Sequence, residues 1–220
     1  MSKAWMIAFA VVCFVPQFMG AAEVTGRVRV AGRKSGATLT IVYAESLGGP
    51  SVVKPGHFSM KQRNKSFVPH VLAVPVGSTV DFTNDDLIFH NVFSLSSPAP
   101  FDLGLYRAGA SKSRVFSGPA VYRVFCNIHP QMTGVLLVLP TSWIAEADLS
   151  GAYRMNLPPG RYRLTAWSER SQPASVETAL ESGTGTFPEL TLDESKFVEL
   201  PHKNKYGQDY PRTAYDPLKQ

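Results

Sequence analysis

The sequence predicts an all-β chain built from two packed modules, and three observations carry that expectation. Apolar residues alternate with polar ones at a period of two along most of the chain. Glycine and proline, 17 of each in 220 residues, punctuate it at short intervals. No long stretch sustains the apolar period of an amphipathic helix. The length suits one large β domain or two small ones, each with a real core.

The first residues read as a secretory signal. Lys3 supplies the positive start, residues 4–18 form an apolar run, and Gly20, Ala21 and Ala22 are small, which predicts cleavage after Ala22. The run is shorter than the ~20 residues of a spanning helix, so no membrane span is expected after cleavage. Strands follow over 24–30, where Val24, Val28 and Val30 alternate with small or charged residues, and over 37–43. Glycines and prolines between 48 and 56 mark a loop. Further strands are expected over 71–76, 78–84, 91–94, 121–126 and 134–139. Residues 141–149 are the best place for a helical turn or two.

The expected organisation is a signal over 1–22, a first β-sandwich over 23–140, a smaller one over 141–200 and an extended tail over 201–220. Sequence alone leaves residues 24–43 able to join either sandwich. In the second, residues 153–157, the turn Pro158-Pro159-Gly160 and residues 161–167 read as strand, turn, strand. The tail is polar and is expected to lie extended on the surface or to fray.

Cleavage would discard Cys13 and leave Cys126 as the sole thiol, so packing rather than disulfides must hold the fold. The formal charge of +5 drops by one without Lys3, and the basic residues are scattered. That pattern fits mild steering toward an acidic partner and not a nucleic-acid surface.

One segment concentrates chemistry. Cys126-Asn127-Ile128-His129-Pro130-Gln131-Met132 sets a thiolate, an imidazole and a thioether three residues apart, between two predicted strands. A blue-copper site uses two imidazoles and a thiolate in a trigonal array with a weak axial thioether. His90 is placed to supply the second imidazole, after the strand at 80–84 and the turn at Asp85-Asp86. Singly, each residue has an ordinary role: a buried cysteine, a core methionine, a histidine at a strand end. Together they point to copper. His57, His70 and His202 have no such context and read as structural or surface residues.

Gly77-x-x-Val80-x-Phe82-x-Asn84-x-Asp86, His90-Asn91, Gly118-x-x-x-Tyr122 and Cys126-x-x-His129-x-x-Met132 resemble the cupredoxins over residues 57–139. The short cysteine-to-methionine loop is most similar to the amicyanin and pseudoazurin type. With its second module, the chain resembles cupredoxin-like proteins labelled methylamine utilization proteins. The resemblance implies a cupredoxin Greek-key sandwich and one type 1 copper per chain, held by His90, Cys126, His129 and Met132. It implies that Asn91 braces Cys126 by hydrogen bonding. It also implies an apolar docking patch near the second histidine, for which Phe67, Pro69, Ile128 and Pro130 are the candidates. The implied work is periplasmic one-electron transfer to a redox protein such as a c-type cytochrome or a dehydrogenase.

Other copper chemistry is excluded by ligand count. A multicopper oxidase needs a His-Cys-His run and many paired histidines, but Phe125 and Asn127 flank Cys126 and the chain has five histidines. A binuclear centre needs two bridging thiolates. No nucleophile with its base is evident, so no enzyme activity is expected. Two alternatives remain open: a copper storage or delivery protein, and a binding role for the second module with copper structural. Residues 151–167 resemble the transthyretin-like and carboxypeptidase-regulatory β-sandwiches, which fall among carbohydrate-binding-like folds. There Trp167 would either stack on a sugar or pack against the copper module; it shares a strand face with Arg161, Arg163 and Thr165.

Overall fold

A computed structural model describes residues 21–33, 36, 38–181, 185–199 and 201–210. The predicted signal, apart from Ala21 and Ala22, lies outside the described residues, as does the tail beyond Tyr210. Eighteen strands, numbered along the chain, make up the regular structure of the described residues. No helix among them is long and apolar enough to cross a membrane.

In the first sandwich a five-stranded sheet runs in the order β6 (Val71–Pro75), β12 (Thr133–Leu139), β11 (Ala120–Phe125), β8 (His90–Ser94) and β9 (Phe101–Tyr106). Its other sheet is β10 (Ser111–Val115), β7 (Thr79–Thr83) and β3 (His57–Ser59). A hairpin of β4 (Lys61–Arg63) and β5 (Ser66–Val68) turns through Asn64 and Lys65, both at φ 53°. Two left-handed residues are what a tight two-residue hairpin of this twist requires. Phe82, Phe101, Phe116 and Tyr122 fill the core between the sheets, with ring centroids 5.0–6.2 Å apart.

The second sandwich has one sheet of β14 (Ala152–Leu157), β1 (Ala22–Ala31), β17 (Gly185–Thr186) and β18 (Leu190–Asp193). The other is β13 (Ile144–Ala147), β2 (Thr40–Ser46), β15 (Gly160–Ser168) and β16 (Ala174–Leu180). β1 and β2, whose segment the sequence alone left between the modules, thus pair with strands that follow the first sandwich. The segment 141–149 is not helical. Ile144–Ala147 form β13, because they pair along the edge of β2 while Ala145 and Ala147 cover the second core beside Trp143 and Ile144 packs against the layer between the sandwiches. Gly151, at φ 84°, could carry no side chain: a Cβ would stand 2.0 Å from the Val28 carbonyl oxygen.

A third apolar layer joins the sandwiches. Along β12, Leu136 and Val138 face the first core, while Val135, Leu137 and Leu139 face the other way. These meet Ile41 of β2 and Trp167 of β15, whose alternate neighbours Val42, Leu164 and Ala166 face the second core. A strand buried on both faces reads as a continuous apolar run, which explains Gly-Val-Leu-Leu-Val-Leu at 134–139. Trp167 is therefore a packing residue, 7% exposed, and offers no face for stacking on a sugar.

Candidate metal centre

Strand alternation aims Cys126 inward. Along β11, Tyr122 and Val124 point into the core while Val121 and Arg123 point out, and Cys126 continues the inward row with no exposure. The antiparallel pair Phe125 with Phe93 then sets the start of β8 beside the end of β11, so His90 comes against the loop 126–132. That loop is closed on itself. The Cys126 N–H donates to the Met132 carbonyl at 3.2 Å, and the Met132 N–H to the His129 carbonyl at 3.0 Å.

Three ligand atoms converge. His90 Nδ1 and His129 Nδ1 are 3.1 Å apart, and Cys126 Sγ lies 3.8 Å from the first and 3.6 Å from the second. A triangle with these sides has its centre about 2.0 Å from each corner, the length of a transition-metal bond to imidazole nitrogen and close to one to thiolate sulfur. The donor set therefore fits a metal ion without rearrangement. Met132 is fully buried in the same core cluster as Cys126, at the far end of the closed loop. Thiolate and thioether are soft donors that favour copper over the harder divalent ions.

The surroundings prepare these atoms for a cation. Burial pushes the Cys126 thiol up, but the His90 imidazole and the backbone N–H groups of Asn91, Ile128 and His129 outweigh it and hold the thiol below its ordinary value. Burial, together with the charge of neighbouring His90, keeps His129 below the usual histidine range and so neutral and able to donate a lone pair. Burial also opposes charge on His90; there Cys126 and Asp86 prevail and raise it.

Asp86 stands in the sequence motif without a role, and the structure supplies one. Its Oδ2 accepts the His90 Nε2–H at 2.8 Å, leaving Nδ1 as the donor atom that faces Cys126. The carboxylate is itself fixed by the Asn64 and Lys65 amides of the β4–β5 turn, at 2.6 and 2.9 Å. Asn84 shapes the intervening loop, accepting the Asp86 N–H and donating to the Ile88 carbonyl. The one available signal was the spacing of an acidic residue four positions before a ligand histidine.

Asn91 accepts the Asn127 N–H at 3.3 Å and so holds the residue after Cys126, while its amide donates to Asp102 at 2.7 Å. Of the surface candidates, Pro69, Ile128 and Pro130 are exposed, whereas Phe67 is 2% exposed and belongs to the core. Leu87, Ile88 and Phe89, directly before His90, are exposed apolar residues that the sequence did not single out. His70 lies outside the metal cluster: it bonds the Thr133 carbonyl and Glu169.

No family model and no curated protein matches the chain. Solved structures do. A copper-containing nitrite reductase from Thermus scotoductus SA-01 is 29% identical over 42% of this chain, at a TM-score of 0.37, and the match spans 26% of that enzyme. A purple cupredoxin from Nitrosopumilus maritimus is 27% identical over 37% of this chain and 98% of its own, at 0.35. An amicyanin variant is 21% identical over 44% of this chain and 99% of its own, at 0.36. TM-scores this low do not by themselves establish a shared fold. The converging donor atoms, rather than these likenesses, define the site.

Proposed function

We propose that this protein is a periplasmic blue-copper protein that passes single electrons between redox partners. The observation that carries the reading is the convergence of Cys126 Sγ with the Nδ1 atoms of His90 and His129 at metal-binding separations. His90, Cys126 and His129 would hold one copper ion, with Met132 as the weak fourth ligand. Copper bound there would supply a one-electron couple. The chain's own contribution is to hold the donors still. Cys126 is fixed by its strand and by the loop bonds, His90 by Asp86, and the loop after Cys126 by Asn91. Fixed donors make oxidation and reduction cost little rearrangement. His90 and Cys126 are fully buried and His129 is not, which makes His129 the ligand through which an electron would leave. The exposed apolar residues around it suit a partner such as a c-type cytochrome or a dehydrogenase. Burial of two ligands disfavours storage or delivery, which needs an accessible metal.

Copper-loaded protein is expected to show an intense thiolate-to-copper band in the visible. Cys126→Ser and His90→Ala should each abolish it, while Met132→Gln should keep it and lower the reduction potential. An unchanged spectrum in Cys126→Ser would sink the ligand assignment.

A further inference from the structure

We propose that Lys205 and Tyr210, in the C-terminal tail, are positioning residues of the metal loop, so that a segment outside both sandwiches helps set the site. The inference rests on the copper reading only for its spectroscopic arm.

The tail neither frays nor passes idly over 201–210. Asn204 is 8% exposed, and its side-chain oxygen accepts the N–H groups of Tyr206 and Gln208 at 2.9 and 3.0 Å, while its own N–H donates to the Gln208 carbonyl at 2.9 Å. That turn is locally encoded, since asparagine readily caps its own backbone. It presents three groups to the loop after β11. The Lys205 N–H donates to Asn127 Oδ1 at 3.0 Å. The Tyr210 hydroxyl donates to the Cys126 carbonyl at 2.9 Å. His202 stacks on Phe125 with ring centroids 4.1 Å apart and donates from Nε2 to the Pro130 carbonyl at 2.6 Å.

These contacts connect to the donor atoms by short routes. Lys205 Nζ pairs with Asp102 Oδ2 at 2.7 Å; Asp102 Oδ1 accepts from the Asn91 amide at 2.7 Å; Asn91 accepts the Asn127 N–H. Asn127 is thus held from both sides: its N–H by Asn91, and its side-chain oxygen by the backbone N–H of Lys205, while the Lys205 side chain acts through Asp102. Asp102 adds nothing to the loop directly; it fixes which way the Asn91 amide points, and Lys205 fixes Asp102. Tyr210 grips the carbonyl of Cys126 itself. A backbone segment that two independent bonds hold in place is slow to open, and opening of this loop is what frees the three of the four proposed ligands that it carries. The Tyr210 hydroxyl also lies 3.5 Å from His202 Nδ1, which ties the two tail side chains on this loop to each other.

The test uses full-length Lys205→Ala, Lys205→Arg and Tyr210→Phe. In copper-free protein, amide hydrogen exchange over 126–131 should speed up about tenfold in Lys205→Ala and in Tyr210→Phe. Lys205→Arg, which keeps a cation facing Asp102, should restore most of the protection. In copper-loaded protein the same two loss variants should release copper to a chelator about tenfold faster and shift the visible band, as changes behind the ligands do. Wild-type exchange and wild-type copper release in both loss variants would overturn the proposal. A wild-type protein that lacks the thiolate band but keeps the exchange differences would count against the copper reading and for the clamp.

Discussion

A carboxylate behind an imidazole changes what that imidazole donates. Asp86 accepts the Nε2–H of His90 and carries negative charge: burial pushes its carboxyl up, but bonds from Lys65, His90 and Asn64 outweigh that and keep it below the ordinary value. The imidazole becomes more basic at Nδ1, which favours the more highly charged oxidised metal. Asp86→Asn keeps an acceptor in place but removes the charge. The expected result is a retained visible band, a higher reduction potential and copper affinity weaker by about tenfold or more. Potentiometric titration with chelator competition would read both, and an unmoved potential would exclude the role. The cluster of His90, Cys126 and His129 was legible in the sequence because the chemistry of those residues is rare and Cys126, His129 and Met132 stand close together in it. The roles of Asp86, Lys205 and Tyr210 were not, because aspartate, lysine and tyrosine are common and what they do depends on which loop folds against which. Phe67 misled for a related reason: two residues before exposed Pro69, it sits on the inward face of β5, between exposed Ser66 and Val68.

At the scale of elements, the alternation of period two placed most long strands, and the doubly buried β12 stood out as an apolar run. Short strands such as β3, β4 and β5, three residues each, carry too little pattern to be read. The strand at Ile144–Ala147 was obscured because it is four residues long and no residue in it is fully buried. One link between elements has a definite pH dependence. His70, just before β6, bonds Glu169, just after β15, at 2.6 Å, and Glu169 also faces Arg123 of β11 at 3.7 Å. The Glu169 bond holds His70 above its ordinary value against the opposing effect of burial. Such a group contributes stability that is fully present below the unfolded pKa, about 6.5, and lost as pH rises through the folded value. Glu169 is depressed: burial raises it, and His70, Arg123 and Arg170 more than reverse that. Its contribution is lost as pH falls through its lowered value. As pH rises above the unfolded value of about 6.5, the wild-type melting temperature is expected to fall relative to that of His70→Ala, and parallel curves would show the link to be inert. The His70 side chain is 49% exposed, so solvent screens the pair and the effect is modest.

For the whole molecule, the layer of Ile41, Trp167, Val71, Val135, Leu137 and Leu139 is what makes two sandwiches one body. Trp167→Ala should cost about 3–5 kcal/mol, the range for deleting a large buried aromatic. Chemical denaturation would measure it, and the copper band should survive in the folded fraction, since Trp167 belongs to a different cluster from the ligands. Loss of the band at full folding would instead tie the site to the junction. The order of the strands has a further consequence for how the chain is made. β1 and β2 precede the first sandwich in the sequence, yet their partners β13, β14, β15, β17 and β18 all follow it. The intervening sandwich is contiguous and can close on its own once β12 pairs with β6. During that interval two finished strands wait with bare edges, the state most prone to pairing with the wrong neighbour. A chain of this design gains by folding its middle before its two ends meet, and the docking of the C-terminal strands onto β1 and β2 is the step at which misassembly would be decided.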